Sequence, residues 1–318
     1  MANPARFSQP IIAPAFLGAS MAANPFGVTF YVGNTTNPGE NQGAAGTTAQ
    51  GRSPKNPFAT IAAAIAESVS GRGDLIVVQR GAYTEDLSIT QAGLTIMGAI
   101  PFGYPDHVIV TGTMFIAANG VSVYNMEFFS NSTARPCVAV GLGGTITAPS
   151  FAGTPEASSV LFQNCSFASD GTTEPSDGLI IFGGNNSAVL GCRFVDLTRA
   201  LCLRAGGTSV ISGVRVEGND FIENTTYHLG NGGGTASGSY DTLGNGFGIL
   251  NVTIKDNVFN RGEVTPADYV NISGTSSGIM TGNRFANATN AVGEIVIPAG
   301  ILYSANATEA GWTTARPA

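Results

Sequence analysis

The sequence predicts an all-β fold: a right-handed single-stranded parallel β-helix with a short N-terminal capping helix and an irregular N-terminal arm. Three observations carry this expectation. A short pattern ending in phenylalanine recurs at Phe128, Phe167, Phe194, Phe221, Phe259 and Phe285. A residue suited to a sharp bend stands three positions before each of them. Charged residues make up only 11% of the chain and glycine accounts for 43 of 318 residues, whereas an ordinary soluble domain has roughly 25% charge and about 7% glycine.

Self-similarity at a fixed period is the signature of a solenoid. The phenylalanines lie 39, 27, 27, 38 and 26 positions apart. The two long intervals contain Gly/Ser/Thr-rich inserts near residues 144–157 and 230–246, so a coil without an insert is close to 26 residues. Five positions before each phenylalanine stand Val123, Phe162, Val189, Val216, Ile254 and Met280, an apolar column that should face inward. The next column, Tyr124, Gln163, Leu190, Glu217, Lys255 and Thr281, is mostly polar and should face out. Then come Asn125, Asn164, Gly191, Gly218, Asp256 and Gly282, all residue types that tolerate a left-handed backbone. Strand, fixed bend, strand, repeated in register, makes a parallel solenoid whose equivalent positions stack.

Two positions before the phenylalanines stand Met126, Cys165, Cys192, Asn219, Asn257 and Asn283. The last three predict an asparagine ladder, each amide bonding the next coil. Cys165 and Cys192 should sit one coil apart at about one strand spacing (~4.8 Å), a distance that permits a disulfide, with stacked thiols the favoured expectation. Second strands are expected at 137–140, 179–182, 201–203, 269–272 and 295–297, and earlier ones at 75–78, 94–97 and 108–110. Residues 58–69 carry Ile61, Ala62, Ile65 and Val69 at helical spacing, with Pro57 before and Gly71 and Gly73 after, which predicts the capping helix. The expected organisation is an arm over 1–27, the β-helix over 28–300 and a C-terminal cap or tail over 301–318.

Composition narrows the function classes. The net charge is -7 and no Lys/Arg cluster occurs, so no nucleic-acid partner is expected. No apolar run reaches the ~18 residues of a membrane span, so no membrane partner is expected. Residues 1–14 lack a charged segment followed by an apolar one, so no secretion signal is read. The four cysteines form no CxxC pair and only His107 and His228 offer imidazoles, so no zinc site and no cofactor are expected.

The run from Phe30-Tyr-Val, through Asn56-Pro-Phe-Ala-Thr-Ile-Ala-Ala-Ala-Ile65, to Gly73-Asp-Leu-Ile-Val-Val and Gly81-Ala-Tyr-Thr-Glu-Asp86 resembles the entry into pectin-lyase-like right-handed β-helix proteins. The resemblance covers residues 28–300. That superfamily includes pectate lyases, polygalacturonases, phage tailspikes and non-enzymatic virion proteins. Polygalacturonase-like members carry paired aspartates and Gly-His-Gly, and pectate-lyase-like members carry clustered aspartates beside a catalytic Arg or Lys. The sequence has neither pattern: no Asp-Asp, Asp-x-Asp or Gly-His-Gly occurs.

The enzymatic candidate is therefore Asp196 with Glu223, which share one column in adjacent coils. Two carboxyls about 5 Å apart suit a retaining glycosidase. The plainer reading is a solvated column just past a strand, relieved by Arg261 one coil on. Glu217 and Lys255 are expected as a surface ion pair. Arg72-Gly73-Asp74 spells an adhesion tripeptide but falls at a helix-to-strand turn. The sequons at Asn131, Asn224 and Asn306 follow from Asn- and Thr-rich turns, and Gly230-Asn-Gly-Gly-Gly234 is an insert, not a phosphate loop.

The resemblance and the missing motifs point to a non-enzymatic structural protein of a tailed-phage virion, most of all a capsid-decoration or cement protein. It would be made in the host cytoplasm and located in the particle. Expected partners are copies of itself, as a homotrimer, and the major capsid protein or another virion protein, with surface polysaccharide as a further candidate. Arg6, Phe7, Ile11, Ile12, Phe16 and Leu17 would be the anchors of the arm. The alternatives are a tailspike or fibre that binds or depolymerises host polysaccharide, and a free polysaccharide lyase or hydrolase.

Overall fold

The structure, a computed structural model, describes residues 27–33, 51–101, 103, 107–130, 132, 135–150, 157–169, 177–205, 210–231, 248–261, 268–286, 295–308 and 311–313. Three long sheets of ten, eight and ten strands wrap a continuous apolar core. Each coil gives one strand to each sheet in turn. The first sheet runs from Thr29–Val32 through Leu75–Val78, Thr95–Gly98 and Ser122–Tyr124 to Ile301–Ser304, every pairing parallel. The all-β parallel solenoid is as the periodicity predicts.

The coil forms because two columns agree. Val123, Phe162, Val189, Val216, Ile254 and Met280 are all fully buried. The bend column follows with φ between 54° and 70° at Asn125, Asn164, Gly191, Gly218, Asp256 and Gly282. At each bend the backbone N–H points along the solenoid and donates to a carbonyl of the next coil, as from Gly191 to Glu217 at 3.0 Å and from Gly218 to Lys255 at 3.0 Å. The phenylalanines then stack inside, with ring centroids 4.7 to 5.5 Å apart from Phe128 to Phe285. Offset-stacked rings in this range add to the gain from burial alone. The neighbouring column faces out as expected except at its start, where Tyr124 is buried.

The asparagine ladder is present and longer than its three predicted rungs. Asn219 Nδ2 donates to Asn257 Oδ1, Asn257 Nδ2 to Asn283 Oδ1, and Asn283 Nδ2 to Asn306 Oδ1, each at 2.9 Å. Each Oδ1 also accepts the backbone N–H of the preceding rung, and Asn219 Oδ1 accepts that of Cys192 at 2.8 Å. Each Nδ2 donates as well to a carbonyl of the preceding coil, such as Val189 O from Asn219 and Val216 O from Asn257. Cys192 and Cys165 take that last role with thiols, donating to Phe162 O and Val123 O at 3.6 Å. Both are free and buried. Burial first, then the neighbouring Cys165, holds the Cys192 thiol far above its ordinary range.

Three expectations need correction. The helix is Ile61–Glu67, shorter than 58–69. Thr60 Oγ1 accepts the Ala63 N–H, both Glu85 carboxylate oxygens accept the Ile61 and Ala62 N–H groups, and Ser68 ends it. Its buried face is Ile61, Ala64 and Ile65, while Ala62 and Val69 are exposed; Val69 lies past the last turn. The helix still packs over the first coil, against Thr29–Val32, Leu75–Val78 and Leu87–Ile89. The solenoid also continues beyond residue 300: Ile301–Ser304 and Asn306–Thr308 add strands to two sheets before Gly311–Thr313 turns back antiparallel. Finally, Glu217 and Lys255 lie side by side but pair elsewhere. Arg215 takes Glu217 in a two-bond fork at 2.7 and 3.0 Å, because both stand on one face of the same strand, and Lys255 reaches Asp256 at 3.3 Å.

His228 is a polar intruder in the aromatic core. Its ring lies 6.2 Å from Phe221, 6.1 Å from Phe259 and 5.4 Å from Tyr269. Asn224 Nδ2 donates to its Nδ1 at 2.8 Å, which leaves the proton on Nε2, and that buried atom has no hydrogen-bond partner among the described residues. Burial lowers the His228 pKa from 6.5 to about 3. The unfolded chain therefore takes up this proton first as pH falls. The stabilisation is complete above about 6.5 and is lost progressively toward 3, on the order of 5 kcal/mol in all. We expect His228→Phe to flatten the loss of stability between pH 6.5 and 3, read as the urea midpoint against pH; an unchanged slope would refute the assignment. Asn257→Ala removes an inner rung and strands buried donors and acceptors on both sides, so it should lower the unfolding free energy by about 2–4 kcal/mol in urea titrations.

Candidate functional site

The chemistry-bearing side chains gather on the outer face of the eight-stranded sheet. Its strands include Val138–Val140, Asp177–Phe182, Arg199–Arg204, Tyr227–Gly230 and Asp268–Asn271. Strict alternation fails near the start of these strands, where two consecutive residues belong to the core: Leu201 follows Ala200 and Val270 follows Tyr269. The Cβ of a residue replacing Gly178 would meet Leu197 and Phe167, so Gly178 also faces the core, ahead of Leu179. The double step turns the preceding residues, Asp177, Arg199, Tyr227 and Asp268, outward in one register column. Ile180, Cys202 and Phe182 join them on that face, with Phe115, Ala139 and Leu142 in a second apolar cluster.

This outer face is covered. Asp177, Arg199, Cys202, Arg204 and Tyr227 are each at most 3% exposed. Arg199 grips Asp177 through Nε to Oδ1 and through Nη2 to Oδ2, the latter at 2.6 Å. Cys202 Sγ donates to Asp177 Oδ1 at 3.4 Å, and Tyr227 OH donates to Cys202 Sγ at 3.3 Å. Arg204 lies over the Phe182 ring, 5.9 Å from its centroid. Burial opposes the Arg199 charge, but the Asp177 carboxylate, through its charge and its two hydrogen bonds, outweighs it and holds the guanidinium charged. The Cys202 thiol is pushed up to about 12 by burial first and the Asp177 carboxylate second. It is thus a thiol and not a thiolate at neutral pH, and a poor nucleophile.

The sequence candidates have the following places. Asp196 and Glu223 do share one column in adjacent coils, since Val195 pairs with Ile222 just before them. Both have a left-handed backbone, φ 56° and 57°, with N–H groups donating to Ile222 and Asn260 carbonyls of the following coil. Asp196 is exposed and Glu223 half-buried. Their first task is thus a second bend, where Asp and Glu stand in a conformation that costs most residues energy. Asn219, Asn257, Asn283, Cys165 and Cys192 stack as described. Arg6, Phe7, Ile11, Ile12, Phe16 and Leu17 lie outside the described residues. Asn224 and Asn306, both sequons, are fully buried and bonded within the fold. Asp74 of the adhesion-like tripeptide is buried, forked by Arg72 and accepting the Val28 and Val69 N–H groups. Among the described residues no group of three metal-ligating side chains occurs.

Sequence reasoning missed the Asp177–Arg199 pair because the coils were aligned on the phenylalanine column. Aligned instead on Leu179 and Leu201, both stand two positions before the leucine and one coil apart, an acid facing a base. A buried ion pair contributes little net stability, but removing one partner costs about 3–5 kcal/mol. Arg199→Met and Asp177→Asn should each destabilise by that amount, and the double variant Asp177→Leu/Arg199→Met by clearly less than their sum. Urea unfolding of the three proteins checks this; additive losses would contradict a coupled pair.

No protein-family model and no curated protein sequence matches the chain. Solved structures do. A pectin methylesterase from Aspergillus niger in deglycosylated form matches with a TM-score of 0.50 and 16% identity, over 93% of this chain and 89% of that one. An alginate lyase from Paenibacillus sp. str. FPU-7 gives 0.48 and 14%, over 79% and 93%. Pectin methylesterase PemA from Erwinia chrysanthemi gives 0.45 and 12%, over 81% and 79%. At these identities the likeness is one of fold alone: the chain is a right-handed parallel β-helix.

Proposed function

We propose that the protein is a non-enzymatic structural component of a tailed-phage virion, a capsid-decoration or cement protein in which the solenoid serves as a rigid body. The observation that carries the non-enzymatic reading is the sealing of the acid–cation constellation on the eight-stranded sheet. A general acid or base must come within hydrogen-bond reach of its substrate. Asp177, Arg199 and Tyr227 are instead bonded to one another or to Cys202 and closed off from solvent. The saturated asparagine ladder supports a load-carrying role, because it locks successive coils together without using surface groups. The virion assignment draws on the resemblance of residues 28–300 and on the anchors of the arm, Arg6, Phe7, Ile11, Ile12, Phe16 and Leu17, which would bind a capsid surface.

A second reading is a tailspike or fibre that binds or depolymerises a surface polysaccharide. The accessible Asp196 and Glu223 column favours it, as does a fold shared with a pectin methylesterase. A free lyase or hydrolase would use the same column. One pair of experiments separates these. The full chain is incubated with capsular and pectic polysaccharides and new reducing ends are assayed; the structural reading expects none. Sugar release that disappears in Asp196→Ala or Glu223→Ala would overturn it. Immunogold labelling of phage particles from the source host should decorate heads, and a chain lacking residues 1–27 should fail to bind them. Retained binding would reject the arm as anchor.

A further inference from the structure

The outer face of the third sheet carries a charge row that matches itself when reversed. The inward column of this sheet is the phenylalanine stack, so the residues on either side of each phenylalanine point outward. Before the phenylalanines stand Glu127, Ser166, Arg193, Asp220, Val258 and Arg284, neighbours in register along six consecutive strands. Read in order the row is acid, neutral, base, acid, neutral, base. Reversed and set against itself, Glu127 faces Arg284, Ser166 faces Val258, and Arg193 faces Asp220.

The column after the phenylalanines obeys the same reversal. It holds Phe129, Ala168, Val195, Ile222, Asn260 and Ala286. Reversed, Phe129 meets Ala286, the largest side chain against a small one, and Val195 meets Ile222. Phe129, Val195 and Ile222 are half-buried and Arg193, Asp220 and Arg284 are exposed, so the accessible part of the face centres on the Arg193 and Asp220 strands; Ser166 and Ala168 are buried. Those three charges make no intrachain ion pair among the described residues, whereas Glu127 is held by His107 at 2.6 Å. One operation superimposes both columns on themselves at once: a twofold rotation about an axis along the strands, passing between Arg193–Val195 and Asp220–Ile222. It keeps each column at its place across the sheet and reverses the order of coils, which is the self-complementarity an isologous interface requires.

We propose that the third sheet is a docking face for a second copy of this chain, packed antiparallel as a twofold dimer. The occupant is fixed by the charges, because an arbitrary partner has no reason to match a row that pairs with its own reverse. This inference does not rest on the virion reading. The contact is narrow, and exposed ion pairs contribute little each, so a weak, salt-sensitive dimer is expected, below the size of obligate interfaces.

The test uses the full chain in sedimentation velocity and light scattering across a concentration series, at low and high salt. The expected result is a low-salt species of twice 32.4 kDa that dissociates as salt rises. Arg193→Glu alone and Asp220→Arg alone should each weaken association by roughly tenfold or more, since like charges then meet across the axis. The double variant should restore it, because each reversed charge again faces its opposite. Far-ultraviolet circular dichroism and melting confirm folding; should either central variant fail to fold, Arg284→Glu at the end of the row gives the same reading. A monomer at every concentration, a trimer as the threefold packing of the resembled phage proteins would give, or a dimer indifferent to these reversals would each overturn the proposal.

Discussion

Everything in this molecule depends on exact-register stacking of equivalent residues along one axis. A parallel sheet leaves each strand's side chains directly above those of its neighbour. Any residue type that gains from touching its own kind is then rewarded once per coil. Phenylalanine gains by ring stacking, asparagine by amide bonding and glycine by freedom at the bend. The same rule makes an error expensive, since one slipped residue would turn every inward side chain of a strand out. The left-handed bends prevent that slip by fixing where each strand stops.

Two groups of buried polar side chains stand out among the described residues. Those inside the solenoid, from Asn219 to Asn306 and including Asn224, are backbone surrogates that satisfy N–H and C=O groups at the bends. Those on the eight-stranded sheet, from Asp177 to Tyr227, belong to an outer surface that has been covered over. A charged pair under cover holds little net stability, yet because Asp177 and Arg199 stand opposite each other on adjacent strands it penalises a slip of register that parts acid from base.

Much of this was legible in the sequence, and the reason is mechanical. The columns around Phe128 to Phe285 each answer one physical demand, so six copies of a three-residue signal revealed inward face, bend and ladder together. Asn306 was missed because its coil has no phenylalanine: Ala307 pairs with Arg284 in the third sheet, and the pattern used to find the coils ends at Phe285. The helix ran shorter than its apolar spacing because Ser68 bonds back to Ile65 and Asp74 claims the Val69 N–H. The Glu217 pairing went to Arg215 because a fork within one strand outcompetes a single bond across coils. Asp177 and Arg199 were hidden by the double inward step, which breaks the alternation from which outward positions are read. The candidate carboxylates were found by column, but the column says only that they are neighbours; that both occupy a bend is a property of the backbone.

The asparagine ladder has a direction. Every Oδ1 accepts from the coil before it, so the N–H of one rung is satisfied only by the side chain of the rung that follows in the chain. During synthesis, which delivers the N-terminus first, each new turn therefore leaves the exit tunnel with a donor still waiting. The debt is cleared one turn late, and it passes down the growing chain until Asn306, whose amide closes on the carbonyls of Ser304 and Met280. A chain ending between two rungs would leave the backbone N–H of its last rung to solvent, while the side-chain amide of that rung would still be held by a carbonyl of the coil before it.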